Sequence, residues 1–163
     1  MNKERLISAG LFVAALMAGL FTAGVLVYLL TAPPAFPKKE NEISRALDDV
    51  AHGAHNSFAL QDVTPFVWKN VAIIGPYMAQ HEVNRLLGFD WSDYGSFNIA
   101  EADDADLIVF YNDKTIVHVV RHSRSKGDFE ESALNKVLTP MTAVFKIQRA
   151  DDWVKFKLVK ALR

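Results

Sequence analysis

The chain has 163 residues, of which 50% are hydrophobic and 23% are charged, with a formal net charge of −1 and no cysteine. This composition excludes a disordered tail, a disulfide-stapled mini-protein, a thiolate metal site and a catalytic thiol. The near-zero net charge also argues against a nucleic-acid partner, because dedicated nucleic-acid binders normally carry a clear basic excess.

A long apolar run near the start of the chain predicts a membrane anchor. The run from Leu6 to Leu30 contains no charged side chain, and as a helix at ~1.5 Å per residue it would span roughly 37 Å, more than a ~30 Å hydrocarbon core requires. The alternative, a cleaved signal peptide, would have an apolar region of only ~7–15 residues and a small-x-small cleavage site. Because Pro33 and Pro34 follow the run, we predict that residues 6–30 form an uncleaved transmembrane signal anchor in the bilayer.

Basic residues next to the run predict its orientation. Lys3 and Arg5 lie directly before it, whereas Lys38 follows only after a proline-rich stretch. By the positive-inside rule, residues 1–5 are expected in the cytoplasm of a bacterium and the following domain on the periplasmic side of the inner membrane. Residues 31–39 are expected to form an extended linker, because their prolines cannot continue the helix.

Small residues recur every fourth position within the predicted anchor. This spacing lets two helices approach closely in lipid, so self-association is expected through Gly10, Ala14 and Ala18. The alternative is that alanine and glycine are simply frequent in membrane-spanning helices.

Residues 40–163 predict one soluble α+β domain. Apolar side chains at helical spacing predict a helix that begins after Asn41 and ends near Gly53 or Asn56. A second helix is predicted over Met78–Leu87, with Gly88 at its left-handed C′ position.

Six strands are predicted by apolar runs, by alternation or by flanking turn residues. They are Phe58–Leu60, Val71–Ile74, Leu107–Tyr111, Thr115–Arg121, Ala143–Arg149 and Trp153–Val159. Hairpin turns are predicted at residues 112–114 and 150–152, and the segment 128–138 is predicted as a short helix or loop. The order of elements predicts two or three helices packed on one face of an antiparallel sheet of about four strands.

One stretch resembles a motif of other proteins. Residues 68–77 read Trp-x-x-Val-x-Ile-x-Gly-Pro-Tyr, and residues 82–88 read Glu-Val-x-x-Leu-Leu-Gly. This pattern resembles small, uncharacterised bacterial membrane-attached or lipoprotein domains. The layout of residues 66–121 is also similar to the small lipoprotein of the outer-membrane β-barrel assembly machine, whose fold is shared with a β-lactamase inhibitor protein. Those two proteins act by protein contact without catalysis, so the resemblance implies a binding module.

The loop after the second predicted helix is rich in aromatic residues. Large aromatic side chains are frequent at the centres of protein interfaces, and we therefore predict a protein-contact surface at Tyr77, Phe89, Trp91, Tyr94 and Phe97. The alternative is that the loop aromatics cap the open end of the sheet as part of the core. The partner is expected to be a membrane-associated protein.

The same loop also has a partial calcium-binding pattern. The EF-hand positions 1, 3, 6, 9 and 12 are matched by Asp90, Ser92, Gly95, Asn98 and Glu101. Position 5 is Tyr94, which offers no carboxylate, and the following stretch reads as a strand rather than as the helix that should follow.

Two further sets of side chains have ligand-like spacing. Asp48, His52 and His55 project from the polar face of the first predicted helix, and His118 and His122 share one face of a strand. A metal such as zinc needs three or four converging ligands, which these spacings alone do not supply. The prediction is therefore that the chain holds no metal and no cofactor, with ion or small-ligand sensing as the alternative function.

The chain lacks the sequence motifs of the common enzyme classes. A nucleophile elbow, a phosphate loop, a His-Glu-x-x-His zinc motif and a dinucleotide fingerprint are all absent. A hydrolase is a third alternative that would need His122 to act with Ser123 or Ser125. The prediction is a membrane-anchored, non-catalytic protein-interaction module.

Charge is divided along the chain. Residues 40–106 contain three basic and twelve acidic side chains, whereas residues 107–163 contain eleven basic and six acidic ones. Two interpretations stay open at this point: the two halves neutralise each other across the sheet, or the basic side chains contact anionic headgroups or peptidoglycan. The basic side chains concerned are Arg121, Arg124, Lys126, Lys155, Lys157, Lys160 and Arg163.

Overall fold

The computed structural model describes residues 42–150 and 153–159. Within these ranges no helix has the length and apolar character needed to cross a membrane. Several predictions fall outside the described residues: the anchor at 6–30, its flanks at 1–5 and 31–39, and the small-residue face of Gly10, Ala14 and Ala18.

Two α-helices occur in the described part of the chain, α1 at Glu42–His52 and α2 at Gln80–Leu87. The buried face of α1 carries Ile43, Leu47 and Ala51, which are spaced as on one side of a helix. The end of α2 confirms the prediction made for Gly88, which has a left-handed φ of 79° and donates its amide to Asn84 O at 2.9 Å. Short 3₁₀ helices lie at Leu60–Val63, Ser92–Phe97, Ile99–Glu101 and Arg124–Lys126.

Eight strands form two sheets within the described residues. The strands are β1 Ser57–Ala59, β2 Asn70–Ile74, β3 Ala105–Asn112, β4 Thr115–Ser123, β5 Asp128–Phe129, β6 Lys136–Leu138, β7 Val144–Ala150 and β8 Trp153–Leu158. The central sheet has the strand order β4-β3-β2-β6, and the outer sheet has the order β1-β7-β8-β5. All neighbouring strands are antiparallel except β5 and β8, which are parallel.

The main core contains side chains from both sheets and from α1. On the outer sheet Phe58, Phe145 and Phe156 point inward, and the ring of Phe58 lies 5.3 Å from that of Phe145 and 5.0 Å from that of Phe156. On the central sheet Ile108 and Phe110 contribute to the same core. Such aromatic clusters combine large buried areas with favourable edge and stacking geometry.

The central sheet is buried on both of its faces. Every residue of β3 from Ala105 to Tyr111 is buried, without the alternation of a half-exposed strand. Its second face is covered by α2, by the loop that follows it and by Ile99, with the ring of Phe89 lying 5.6 Å from that of Tyr111. The second helix, α2, and the loop that follows it are therefore packed against the second face of the central sheet.

The α+β class is confirmed, but the prediction of one sheet of about four strands is wrong. The two predicted hairpins, β3–β4 and β7–β8, belong to different sheets. The segment 128–138, predicted as helix or loop, contributes β5 and β6 as sheet edges. Strands of two or three residues are too short to show a period of two in the sequence.

Candidate functional site

The turn between β2 and α2 presents the ring of Tyr77 to solvent. Tyr77 has a φ of 62°, in a left-handed region that bulky side chains rarely occupy. Its side chain is 65% exposed, and its amide donates to Ile99 O at 3.0 Å. A strained backbone of this kind persists only where the surrounding structure determines it.

Two loops fix the Tyr77 turn. On one side, the amide of Gly75 donates to Asn135 Oδ1 at 3.1 Å. On the other side, the hydroxyl of Tyr94 donates to Met78 O. Burial, and then the charge of Glu82, raise the pKa of the Tyr94 hydroxyl above its usual range, so this group keeps the proton that it donates.

The aromatic loop lies beneath this turn. Trp91 and Tyr94 are buried, with 6% and 2% exposure, whereas Phe89 and Phe97 are half-buried. The ring of Trp91 lies 5.7 Å from that of Tyr94 and 5.4 Å from that of Phe97. Of the five predicted contact residues, Tyr77 is therefore open to a partner, Phe89 and Phe97 are partly open, and the rings of Trp91 and Tyr94 pack inside the domain.

The aromatic loop is attached to α2 through polar contacts. The amide of Trp91 donates a hydrogen bond to Asn84 Oδ1 at 3.1 Å, and Gln80 Nε2 donates a hydrogen bond to Trp91 O. Asp90, the first position of the partial calcium pattern, accepts a hydrogen bond from Asn84 Nδ2 at 3.0 Å. Residues 92–97 and 99–101 form 3₁₀ helices, whereas an EF-hand requires an open twelve-residue loop followed by a helix. Glu101 closes the second of these 3₁₀ helices.

The candidate ligands on α1 do not converge with those of the aromatic loop. Asp48 Oδ1 and His52 Nδ1 lie 3.0 Å apart on the exposed side of α1, and His55 lies beyond the end of the helix. Over residues 42–150 and 153–159, no three His, Asp or Glu side chains are grouped as metal ligands.

A buried polar cluster, which the sequence patterns did not predict as a unit, lies between α1 and the central sheet. Asp106 on β3 pairs in register with His122 on β4, and both side chains are fully buried. His122 Nε2 lies 2.9 Å from Gly127 O, and His122 Nδ1 lies 3.1 Å from Ser44 Oγ. Because a carbonyl oxygen only accepts, we assign the ring proton to Nε2, and Nδ1 then accepts from the Ser44 hydroxyl.

Burial shifts both titratable groups toward their neutral forms. Neither oxygen of Asp106 has a hydrogen-bond partner among the described residues. Burial, and then the nearby charge of Asp128, raise the pKa of Asp106 to about 7, while Arg124 and the amide of Phe129 oppose this shift without completing a hydrogen bond. Burial lowers the pKa of His122 to about 4, so its ring is neutral at pH 7.

The contact between Ser44 and His122 has the donor–acceptor pattern of a nucleophile and its base. Ser44 is only 5% exposed and His122 is fully buried, and the second ring nitrogen is held by a carbonyl oxygen. The hydrogen bond between Ser44 and His122 therefore connects α1 to β4. Ser123 and Ser125, the partners considered for His122, instead bond to each other at 2.9 Å at the surface, because adjacent strand residues point to opposite faces.

The antiparallel pairing of β3 and β4 brings acidic and basic parts of the chain together. Arg121 pairs with Asp104 at 2.9 Å, and Arg124 donates to Asp103 O at 2.9 Å and pairs with Asp128 at 2.6 Å. The Arg121–Asp104 pair therefore joins the two oppositely charged halves of the sequence at this edge, whereas Arg124 and Asp128 both belong to the basic half.

Comparisons of the chain with protein-family models, with curated proteins and with solved structures give no match.

Proposed function

We propose that this chain is a non-catalytic protein-interaction module, anchored in the bacterial inner membrane by residues 6–30, with its domain in the periplasm. Tyr77 is its principal contact residue. Phe89 and Phe97 add the apolar area that they leave exposed around the aromatic loop.

The observation that carries this proposal is the exposure of the Tyr77 side chain together with its fixed backbone conformation. It is the most exposed aromatic side chain of the described residues, and its left-handed turn is fixed by contacts from two loops. Tyrosine is enriched among residues that dominate binding energies. A ring on a backbone that is already ordered loses little conformational entropy when a partner covers it.

The sequence motif supports the same function. Tyr77 is the last residue of the Trp-x-x-Val-x-Ile-x-Gly-Pro-Tyr stretch. This stretch lies within residues 66–121, whose layout is similar to two proteins that act by contact. In addition, the Ser44–His122 pair is buried and connects α1 to β4, which supports a structural role for it.

Site-specific photocrosslinking in native membranes tests the proposal. A benzoylphenylalanine residue replaces Tyr77 in the full-length protein, and the control carries the same residue at Val67, which is 86% exposed beside the opposite end of β2. We expect a discrete crosslinked protein from position 77 and not from position 67. Equal yields at both positions, or no adduct at position 77, would contradict the proposal.

Tyr77→Ala provides the second readout. Because the ring is largely exposed, we expect this variant to keep the unfolding transition of the wild type while it loses the partner identified by crosslinking. A variant that retains the partner would show that Tyr77 is not the contact residue.

A further inference from the structure

The outer sheet has one face in the core and one face in solvent. On β7 and β8 the inward residues Phe145, Ile147 and Phe156 are buried, and the residues that alternate with them are exposed. We call the solvent side the lysine face; it consists of Ser57, Lys146, Gln148, Trp153, Lys155 and Lys157.

The register of the outer sheet places like charges side by side on this face. Lys146 lies directly opposite Lys157, and Gln148 lies directly opposite Lys155. Side chains in such pairs have Cβ atoms about 4.5–5.5 Å apart, and two like charges there destabilise a sheet. A fold that retains this pair carries an unfavourable contact which an anionic ligand would relieve.

Among the described residues, two acidic groups lie near these lysines. Glu130 lies 3.8 Å from Lys157. Asp128 on β5 is in register with Lys155, and its carboxylate is already paired with Arg124. Among the described residues no carboxylate forms an ion pair with Lys146 or Lys155. The lysine face is therefore positive, unlike the edge where Arg121 and Asp104 neutralise each other.

Trp153 lies at one end of the lysine face. Its side chain is 44% exposed, and its indole N–H donates to Asp128 Oδ2 at 3.3 Å. Tryptophan with an apolar body and a bonded N–H is characteristic of the boundary between water and lipid.

We propose that the lysine face docks on anionic lipid headgroups of the membrane in which the chain is anchored. This inference rests on the anchor of the proposed function, because tethering is what favours a lipid surface over other anions. Residues 31–41 connect the predicted span to α1, and eleven extended residues reach at most about 40 Å. This reach exceeds the radius of gyration of a domain of this size, about 14 Å, so such a tether would let the domain rotate against the bilayer.

The strength of docking follows from charge. A lysine close to an anionic surface shifts the docking equilibrium by about fivefold. Replacing two unpaired lysines by glutamates should therefore lower the ratio of docked to undocked domains by at least about 25-fold. Salt should have the same effect, because at 0.5 M the screening length falls to about 4 Å.

The experiment uses the full-length chain in lipid nanodiscs. Since the chain has no cysteine, Gln148→Cys places a single fluorescent label at the centre of the lysine face, and Asp93→Cys labels the aromatic loop as a control position. The discs contain either neutral phosphatidylcholine or 30% phosphatidylglycerol, each with a trace of lipid that carries a quencher on its headgroup. We expect several-fold stronger quenching at position 148 in the anionic discs, reversed by 0.5 M salt, and no comparable change at position 93.

Charge variants identify the surface. Lys146→Glu combined with Lys155→Glu should abolish the quenching at position 148. The matched control, Arg85→Glu combined with Lys114→Glu, changes the net charge equally at exposed sites away from this face and should retain the quenching.

Three outcomes would overturn the inference, and they are distinguishable. A chain that does not enter the discs refutes the anchor, and with it both the proposed function and lipid docking. A chain that enters them but gives equal quenching in neutral and anionic discs refutes lipid docking alone. A label that responds to a soluble 20-base-pair DNA duplex in neutral discs, but not to anionic lipid, assigns the lysine face to nucleic acid.

Discussion

Asp106→Asn should change the way in which the stability of the domain depends on pH. The pKa of this carboxyl group is about 7 in the folded domain, against an unfolded value of 3.8. Between these values the folded state holds a proton that the unfolded state does not, so the free energy of unfolding falls as pH rises. The full window of about three pKa units corresponds to about 4 kcal/mol.

The pKa shift of His122 has the opposite effect on the pH dependence of stability. Its pKa falls from 6.5 to about 4 in the folded domain, so between these values only the unfolded state is protonated, and stability is lost as pH falls. In the wild type the two slopes, each about 1.4 kcal/mol per pH unit, nearly cancel between pH 4 and 6.5. In Asp106→Asn only the slope of His122 remains, and the free energy of unfolding should rise by about 3 kcal/mol across this range.

Urea unfolding of the full-length protein in detergent measures this difference. The fluorescence of Trp68 and Trp91, which are 4% and 6% exposed, reports on unfolding at pH 4.5, 5.5, 6.5 and 7.5. The buried amide of an asparagine shifts the whole curve by a constant amount, so the slope decides the outcome. The control is Asp113→Asn, at an exposed position with a φ of 55° that asparagine tolerates. Its free energy of unfolding should depend on pH in the same way as that of the wild type. If the free energy of unfolding of Asp106→Asn also depends on pH as that of the wild type does, the carboxyl group of Asp106 is not protonated in the folded domain. That result would refute the reasoning.

Three further substitutions test local packing. Gly127→Ala should destabilise the domain by about 3 kcal/mol in urea unfolding, because its Cβ would lie 2.2 Å from the ring of Phe156 at a φ of 118°; a loss below 1 kcal/mol would mean that the ring moves aside. Arg149→Lys should lower stability by about 2 kcal/mol in the same assay, since the guanidinium donates to four carbonyl oxygens at and beyond the end of α1; an unchanged midpoint would show that solvent replaces these bonds. Tyr77→Gly should leave stability unchanged or raise it by up to about 1 kcal/mol, because glycine accepts a positive φ, and a clear loss would place the ring in the core.

Local patterns predicted the helices and both hairpins because each depends on neighbours in the sequence. The periodic apolar residues of α1 and the glycine after α2 are such local signals. The division into two sheets depends on β1, β5 and β6, whose two or three residues carry no periodic signal.

The buried cluster was not predictable from the hairpin alone. Asn112 pairs with Thr115, and continuing that register without interruption would place Asp106 opposite Arg121, as an ordinary ion pair. A bulge between Phe110 and Tyr111 shifts the register by one residue and places Asp106 opposite His122. One additional residue in a strand thus moves a whole set of side chains relative to its partner strand.

The burial of the aromatic loop also depends on contacts between distant residues. The aromatic composition of the loop is equally compatible with an exposed interface and with a buried core. The hydrogen bond from Tyr94 to Met78 and the packing of Trp91 on Phe97 decide between them. Tyr77 differs because its positive φ and exposure arise from the turn itself.

The position of β8 has a consequence for biosynthesis. This strand, although late in the chain, lies inside the outer sheet between β7 and β5, and its Phe156 contacts both Phe58 and Phe129. The interior therefore stays open until Leu158 has left the ribosome, because pairings between distant segments form last. A nascent chain that still lacks β8 leaves these phenylalanines exposed, and exposed apolar surface of this kind favours aggregation.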